Sequence, residues 1–134
     1  MKAQRGMVFG VFDGLHEGHK HFLSEARTKC ERLVVVVTPD SVSLKRKGFP
    51  PKHTLEERIA RIKDFDATLT VIPGDTEDDR WHILDEHDPE RIFLGYDQGA
   101  IGEALKKMGL PHTYLDAYRP EDFKSSRIRG SAAP

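Results

Sequence analysis

Residues 33–38 constrain the fold of this chain more than any other segment, because five apolar residues, LVVVV, stand there without a polar residue between them. A strand with one solvated face alternates apolar and polar side chains, whereas a strand covered on both faces of a parallel sheet is apolar throughout. Helices must then pack on both faces of that sheet. The sequence therefore predicts an α/β fold built on a parallel sheet.

Strand-like and helix-like segments alternate along the rest of the chain. Short β-rich runs predict strands at 7–12, 33–38, 68–72, 91–94 and 112–115. Helical spacing, a capping box at Thr54 and a stop at Gly109 predict helices that begin near Gly18 and Thr54, a short helix over 79–86, and one through Ile101, Leu105 and Met108. We expect one Rossmann-like, doubly wound domain over residues 1–134 with five parallel strands and a frayed tail at 130–134.

Two details of this prediction concern individual segments. The first helix is expected to place Phe22, Leu23, Ala26 and Cys30 on one buried face. The polar segment 41–53, SVSLKRKGFPPKH, is expected to be a mobile loop between the second strand and the helix that begins at Thr54.

The segment 10–19, GVFDGLHEGH, falls in the loop after the first predicted strand. Ligands of open parallel sheets bind at the carboxyl ends of the strands, and a helix that begins near Gly18 directs its free N–H groups and positive dipole end there. His16 and His19, three residues apart, can add donors on the same side, while Gly14 and Gly18 leave room for the backbone to approach a ligand. The pattern favours a phosphate site.

Other interpretations of these residues stay open on spacing alone. The histidines can be merely solvated or packed in the core, with Gly14 serving a turn. A zinc site is the third interpretation, although no segment has the His-Glu-x-x-His pattern and Glu17 lies on a different face from the histidines. Asp13 is either a turn-forming residue before Gly14 or a carboxylate that helps to hold magnesium.

The motif resembles the signature of the HxGH nucleotidyltransferases, the cytidylyltransferase-like group of the nucleotidylyl transferases. The resemblance spans nearly the whole chain, through His16-Glu-Gly-His19, Lys45-Arg-Lys47, LGYDQ at 94–98 and SSRIR at 125–129. It implies a Rossmann-like domain, a nucleoside triphosphate, magnesium, and transfer of a nucleotidyl group to a phosphate-bearing acceptor with release of pyrophosphate. Val11 departs from the family pattern, since many members have threonine there, and this bears on how the acceptor is held.

The resemblance also implies roles for individual residues. Those expected to be catalytic are His16, His19, Lys45 and Arg127. Those expected to bind the nucleotide are Val11, Phe12, Gly18, Asp97, Gln98, Ser125, Ser126 and Arg127, together with the histidines. Magnesium is expected to be carried mainly by the triphosphate, with Asp13 as the candidate protein ligand.

Several of these residues have a plain alternative. Lys45 and Lys47 either close over the substrates or form a solvated basic loop, and Arg58 either faces the triphosphate or is a solvated helix charge. Ser125 alone would be explained by helix capping. Trp81 and Tyr96 are candidates to stack on a ring, although Trp81 at helical spacing equally fits the core.

The substrates are suggested by two of the matching segments. Glycerol-3-phosphate cytidylyltransferases carry Trp after the Asp of the fourth-strand motif and a later Arg-Thr-x-Gly-Ile-Ser-Thr-Thr segment, where this chain has Gln98 and DFKSSRIR. LGYDQ is more similar to the archaeal-type FAD synthases, so the expected substrates are ATP and FMN, with Gln98 reading the base. CTP with glycerol 3-phosphate is the alternative, and a nucleotide-binding module without catalysis is a third.

Composition excludes some partners. Lys and Arg number 21 against 22 Asp and Glu, a formal charge of -1, so no nucleic acid or membrane partner is expected. Cys30 is the single cysteine, which excludes an internal disulfide and fits a reducing compartment. With no apolar leader in the first residues, a cytoplasmic location is expected. A homodimer is compatible with the sequence.

Overall fold

The computed structural model describes residues 3–76, 82–95 and 98–115. Its strands are β1 (Ala3–Gly10), β2 (Cys30–Val37), β3 (Thr70–Pro73), β4 (Arg91–Leu94) and β5 (His112–Tyr114). Its helices are α1 (Glu17–Thr28), α2 (Asp40–Lys47), α3 (Leu55–Phe65), α4 (His82–His87) and α5 (Gly99–Met108). The predicted α/β alternation with five strands is confirmed.

All strand pairs are parallel, and the sheet order is β3-β2-β1-β4-β5. The chain runs outward from β1 to β3, then crosses back to place β4 on the other side of β1. The order therefore reverses between β1 and β4, and the carboxyl ends of these two strands border the crevice where ligands of doubly wound folds bind.

Two apolar layers cover the sheet, as the unbroken run in β2 requires. On one face the side chains of α1 and α3, including Leu23, Ala26 and Ile62, pack against Val35 and Val37. On the other face α4 and α5 pack against the remaining β2 valines in a cluster of Met7, Val34, Val36, Ile83, Leu84, Ile92, Leu94 and Leu105. Alternate residues of one strand thus reach opposite layers.

The clearest error of the sequence prediction is α2, which occupies part of the segment 41–53 expected as a loop. Its last turn carries basic side chains, which interact favourably with the negative end of the helix dipole. Gly48 ends the helix with φ +85°, and its N–H donates to Leu44 O at 2.8 Å. The helix is short and polar, so it has no continuous apolar face that would mark it in the sequence. A glycine C-cap ends it.

Smaller corrections concern particular residues. Cys30 is buried as expected, but it is the first residue of β2 rather than part of the α1 face. Met108 lies in α5 as predicted, yet 42% of its surface is exposed, so it is not part of the core. The capping box at Thr54 is confirmed, since Thr54 accepts from the Glu57 N–H and Glu57 accepts from the Thr54 N–H. In the described part of the chain no helix has the length and apolar character that a membrane crossing requires.

Candidate active site

The loop between β1 and α1 places both motif histidines at the first turn of α1. His16 is the N-cap, with extended backbone angles, and His19 is the third residue of the helix. The helix therefore begins at Glu17, and its N-terminus points to the carboxyl end of the central strand β1. This is the geometry that the sequence predicted for an anion site.

The two imidazoles form a reciprocal cap of the helix. Nδ1 of His16 accepts from the backbone N–H of Gly18 at 3.1 Å and from that of His19 at 3.4 Å. In return Nδ1 of His19 accepts from the backbone N–H of His16 at 3.2 Å. A capping box usually pairs Ser or Thr with Glu, so here two histidines take both roles.

This cap determines the chemical state of the rings. A ring nitrogen that accepts a backbone hydrogen bond carries no proton, so in the neutral imidazole the proton lies on Nε2. Each neutral ring thus carries its N–H at Nε2. The rings stack with centroids 3.7 Å apart and an interplanar angle of 17°, so the two imidazoles lie face to face.

The loop that leads to His16 is bent into unusual backbone angles. Phe12 and Leu15 have φ of 53° and 31°, in the left-handed region that bulky residues rarely adopt, and Gly14 has φ of 84°. The ring of Phe12 is buried and meets the ring of His19 edge-on, with centroids 5.4 Å apart. Phe12, expected among the nucleotide-binding residues, therefore supports a histidine with its side chain.

Gly18 leaves room for the His16 ring. A Cβ built on Gly18 would lie 3.0 Å from Cε1 of His16, a tight contact that the ring could relieve only by shifting. Glycine at the third position of the HxGH motif therefore lets the His16 ring keep its place at the start of the helix. This gives a steric reason for the spacing that the sequence showed.

Asp13 ties this loop to the segment before α3. Its two carboxylate oxygens accept from the backbone N–H groups of Lys52, at 2.8 Å, and His53, at 3.1 Å. Burial by itself would raise the pKa of Asp13, but these two hydrogen bonds and the charges of His53 and Arg58 outweigh it and lower the pKa below 3.8. Asp13 is an ionised cross-link between two loops rather than only a turn former.

Arg58 was misjudged from the sequence. Its side chain is fully buried, so it is not a solvated helix charge. The guanidinium donates to the carbonyls of Val11 at 2.9 Å, Thr38 at 2.8 Å and His53 at 3.1 Å, and it pairs with Asp40. It thereby joins the loops that follow β1 and β2 to the start of α3.

The spacing on α3 contained the signal for this burial. Arg58 lies three residues after Leu55 and four before Ile62, both of which pack inward, so it shares their face of the helix. An arginine on a buried face must have all its donors bonded. The carbonyl of Val11, another expected nucleotide-site residue, is one of its acceptors.

Lys45 and Lys47 lie in the last turn of α2 and are exposed. The expectation of a mobile loop was wrong for them, because the helix fixes their backbone. The segment that follows α2 is joined to the histidine loop by the hydrogen bonds from the backbone of residues 52–53 to Asp13.

Gln98 lies at the carboxyl end of β4, as predicted, but its amide is bonded within the protein. Its Oε1 accepts from the Gly95 N–H at 2.9 Å and its Nε2 donates to Phe9 O at 2.8 Å. No sequence signal marks these partners, which are backbone groups of β1 and of the residue that follows β4. Contact of Gln98 with a nucleobase stays a prediction.

The other expected site residues lie outside the described residues. These are Trp81, Tyr96, Asp97, Ser125, Ser126 and Arg127. Their expected roles stay predictions.

The described residues do not fit a metal held by the protein. No group of three or more His, Cys, Asp or Glu side chains within 3–76, 82–95 and 98–115 could hold a metal ion. Both oxygens of Asp13 already accept backbone hydrogen bonds. Enzymes of the nucleotidyltransferase class generally use divalent cations.

Together, the doubly wound parallel sheet and the histidine-capped helix at its switch point define a nucleotidyltransferase of the Rossmann-like class. The sequence model of the cytidylyltransferase-like family matches residues 7–131. The chain belongs to this family.

Proteins with similar sequences and folds agree with this assignment. The chain is 34% identical over 134 residues to a FAD synthase of Thermococcus sibiricus, covering 95% of this chain and 90% of the relative. It is 39% identical over 110 residues to a FAD synthase of Thermoplasma volcanium, covering 79% and 76%. A solved structure, the lipopolysaccharide core biosynthesis protein of Thermoplasma volcanium, matches with a TM-score of 0.74 and 33% identity over 87% of this chain and 98% of that one.

Proposed function

We propose that this protein is an FMN adenylyltransferase, which transfers the AMP group of ATP to the phosphate of FMN and forms FAD and pyrophosphate. The reaction class is that of its family. The substrate pair is supported by the FAD synthases it resembles over most of its length, and by LGYDQ at 94–98 in place of the Asp-Trp of cytidylyltransferases.

The chemistry requires no protein nucleophile. An oxygen of the FMN phosphate attacks the α-phosphorus of ATP, and a new P–O bond forms there. The bond from the α-phosphorus to the oxygen bridging it to the β-phosphorus breaks, and the electron pair leaves with pyrophosphate. The protein has to bring two anions together and stabilise the charge that builds up on the leaving group.

The histidine cap carries this proposal. With both Nδ1 atoms bonded to the backbone, both rings carry their N–H at Nε2, and the two stacked rings lie at the start of α1. Donors that are fixed before the reaction stabilise developing charge without reorganisation. We assign both Nε2–H groups, with the first N–H groups of α1, to the triphosphate.

The remaining roles are extensions of this proposal. Lys45 and Lys47 attract the FMN phosphate from the end of α2, and Ser125, Ser126 and Arg127 hold the β- and γ-phosphates. Asp97 contacts the nucleoside beside the β1–β4 crevice. Mg²⁺ enters with ATP, as part of the substrate complex.

The proposal includes where and in what form the protein works. It acts in the cytoplasm as one domain over residues 1–134, alone or as a homodimer. Its partners are ATP and FMN rather than nucleic acid or membrane, in keeping with the formal charge of -1.

The test is to identify the products. The full chain is incubated with ATP, FMN and Mg²⁺, and flavins and pyrophosphate are quantified after separation. We expect FAD and pyrophosphate in equal amounts, and neither when ATP or FMN is omitted. Absence of FAD, with pyrophosphate released from CTP and glycerol 3-phosphate, would establish the cytidylyltransferase alternative instead.

A further inference from the structure

Each pair of neighbouring strands in the described sheet meets along a seam, and three of these four seams end in the same way. At the carboxyl end of each, the carbonyl of the last paired residue accepts from the N–H one residue beyond its partner, the usual bond of a parallel ladder. These bonds are Thr38 N to Gly10 O for β1–β2, Gly74 N to Val37 O for β2–β3, and Leu115 N to Leu94 O for β4–β5, each at 2.9 Å.

The fourth seam, between β1 and β4, ends differently. Its register pairs Val8 with Phe93, so the next step would pair Phe9 with Leu94 and let Phe9 O accept from the Gly95 N–H. The paired register stops at Val8 and Phe93, and the Gly95 N–H donates instead to Oε1 of Gln98 at 2.9 Å. Nε2 of Gln98 donates to Phe9 O at 2.8 Å.

The side-chain amide therefore stands between two backbone groups that would otherwise bond to each other. An amide has an acceptor and a donor on opposite sides, so it satisfies both strands while it separates them. Both orphan groups would be costly if left unpaired. This insertion occurs at the switch point of the sheet and at no other described seam.

The position of Gln98 in α5 is consistent with such a role. Gln98 is the N-cap of α5, where side chains normally accept from the first N–H groups of the helix. Its side chain makes no capping hydrogen bond. The amide is directed to the β1–β4 seam instead.

We propose that Gln98 is a positioning residue whose amide keeps β1 and β4 apart beyond Val8 and Phe93, and so opens the crevice for the nucleoside of the triphosphate. That the occupant is a nucleoside rests on the proposed function. The amide sets the width of the crevice through the backbone of Phe9 and Gly95, whether or not it touches the base.

Two variants distinguish the two hydrogen bonds of the Gln98 amide, to the Gly95 N–H and to Phe9 O. Gln98→Glu keeps the shape and the acceptor for Gly95 but places a carboxylate oxygen against Phe9 O, where the donor was. Gln98→Met keeps the length and removes both bonds. Gln4→Glu is the matched control, because it makes the same chemical change on β1 at an exposed position away from the carboxyl end.

Binding and kinetics give the first readout. We expect the dissociation constant and KM for ATP to rise about tenfold in Gln98→Glu, which loses one hydrogen bond, and at least as much in Gln98→Met, which loses both. Both constants should be unchanged in Gln4→Glu. KM for FMN should stay near its wild-type value. Equal rises in both KM values, or unchanged ATP binding with only a lower melting temperature, would overturn the proposal and leave Gln98 a merely structural residue.

Hydrogen exchange of the Gly95 N–H gives the second readout and does not depend on the substrate. Exchange should be slow in the wild type and in Gln98→Glu and faster in Gln98→Met. Unchanged exchange in Gln98→Met would show that the amide is not the partner of Gly95, and would overturn the proposal. If the wild type neither binds ATP nor makes FAD, the proposed function fails, and exchange at Gly95 still decides whether the amide separates the strands.

Discussion

The imidazole rings of His16 and His19 lie 3.7 Å apart, and Nδ1 of each accepts the backbone N–H of the other residue. Each histidine therefore holds its partner in place, and both rings have their proton on Nε2. The same contacts that begin α1 thus fix the position and the tautomer of both rings. Stability and activity can be separated at these residues by choosing what replaces the ring.

Replacing His16 or His19 by alanine should lower the turnover number on the order of a hundredfold or more, because each change removes a donor to charge that develops in the transition state. His16→Ala also removes the N-cap and should lower the free energy of unfolding by about 1 kcal/mol. Steady-state rates of pyrophosphate release and urea denaturation measure the two effects.

His16→Asn is the matched variant for this prediction, since asparagine is a strong N-cap but has no donor at the position of Nε2. It should restore most of the stability and none of the turnover. His82→Ala, at an exposed histidine of α4, is the control for loss of an imidazole elsewhere. Near wild-type turnover in His16→Asn would show that the ring donor is not needed.

Asp13→Asn should destabilise the protein by about 1–2 kcal/mol at neutral pH, because the amide can replace only one of the two carboxylate acceptors. The folded state lowers the pKa of Asp13 below 3.8, so the unfolded chain takes up the proton first as the pH falls. The stability difference between wild type and Asp13→Asn should be present at neutral pH and narrow as the pH drops below 4. Urea titrations from pH 7 to pH 3 test this, and a difference independent of pH would contradict it.

Arg58→Met should lower the free energy of unfolding by about 3 kcal/mol or more, since it leaves three half-buried carbonyl acceptors without their donor. Arg58→Lys should recover only part of the lost stability, because one ammonium cannot donate to all three carbonyls that the planar guanidinium reaches. Arg61→Met, at an exposed arginine of the same helix, is the control. Equal stability of Arg58→Met and Arg61→Met would show that the buried network contributes nothing.

Replacing Lys45 and Lys47 together by alanine should raise the KM for FMN severalfold, because two positive charges that attract its phosphate are lost. The melting temperature should change little, since both side chains are exposed. Lys106→Ala with Lys107→Ala is a matched control, as these lysines occupy the last turn of α5 in the same way. The rise in KM should become smaller with added salt. Kinetics equal to those of the control pair would show that Lys45 and Lys47 are only solvated charges.

The sequence predicted those parts of the fold that depend on local pattern. The apolar run in β2, the capping box of α3 and the glycine after α5 each identify their element directly. The placement of the two histidines was also predictable, because His16 and His19 lie within one turn at the start of the helix.

What the sequence could not show depends on contacts between distant segments. Arg58 bonds to carbonyls 47 and 20 residues away, at Val11 and Thr38. The amide of Gln98 reaches Phe9, 89 residues away, at a seam whose register is known only from the folded sheet. The spacing on α3 indicates that Arg58 is buried, but not which carbonyls it reaches, and no local pattern marks the partners of Gln98.

Internal competition tests the central claim most directly. The wild-type protein is given ATP and CTP in equal amounts together with FMN and glycerol 3-phosphate, and the nucleotide products are quantified by mass spectrometry, so that the product ratio equals the ratio of kcat/KM values. A site that pairs its polar groups with adenine leaves them unpaired with cytosine, so FAD should exceed every cytidylyl product on the order of a hundredfold. A mixture dominated by the cytidylyl ester of glycerol 3-phosphate would contradict the account.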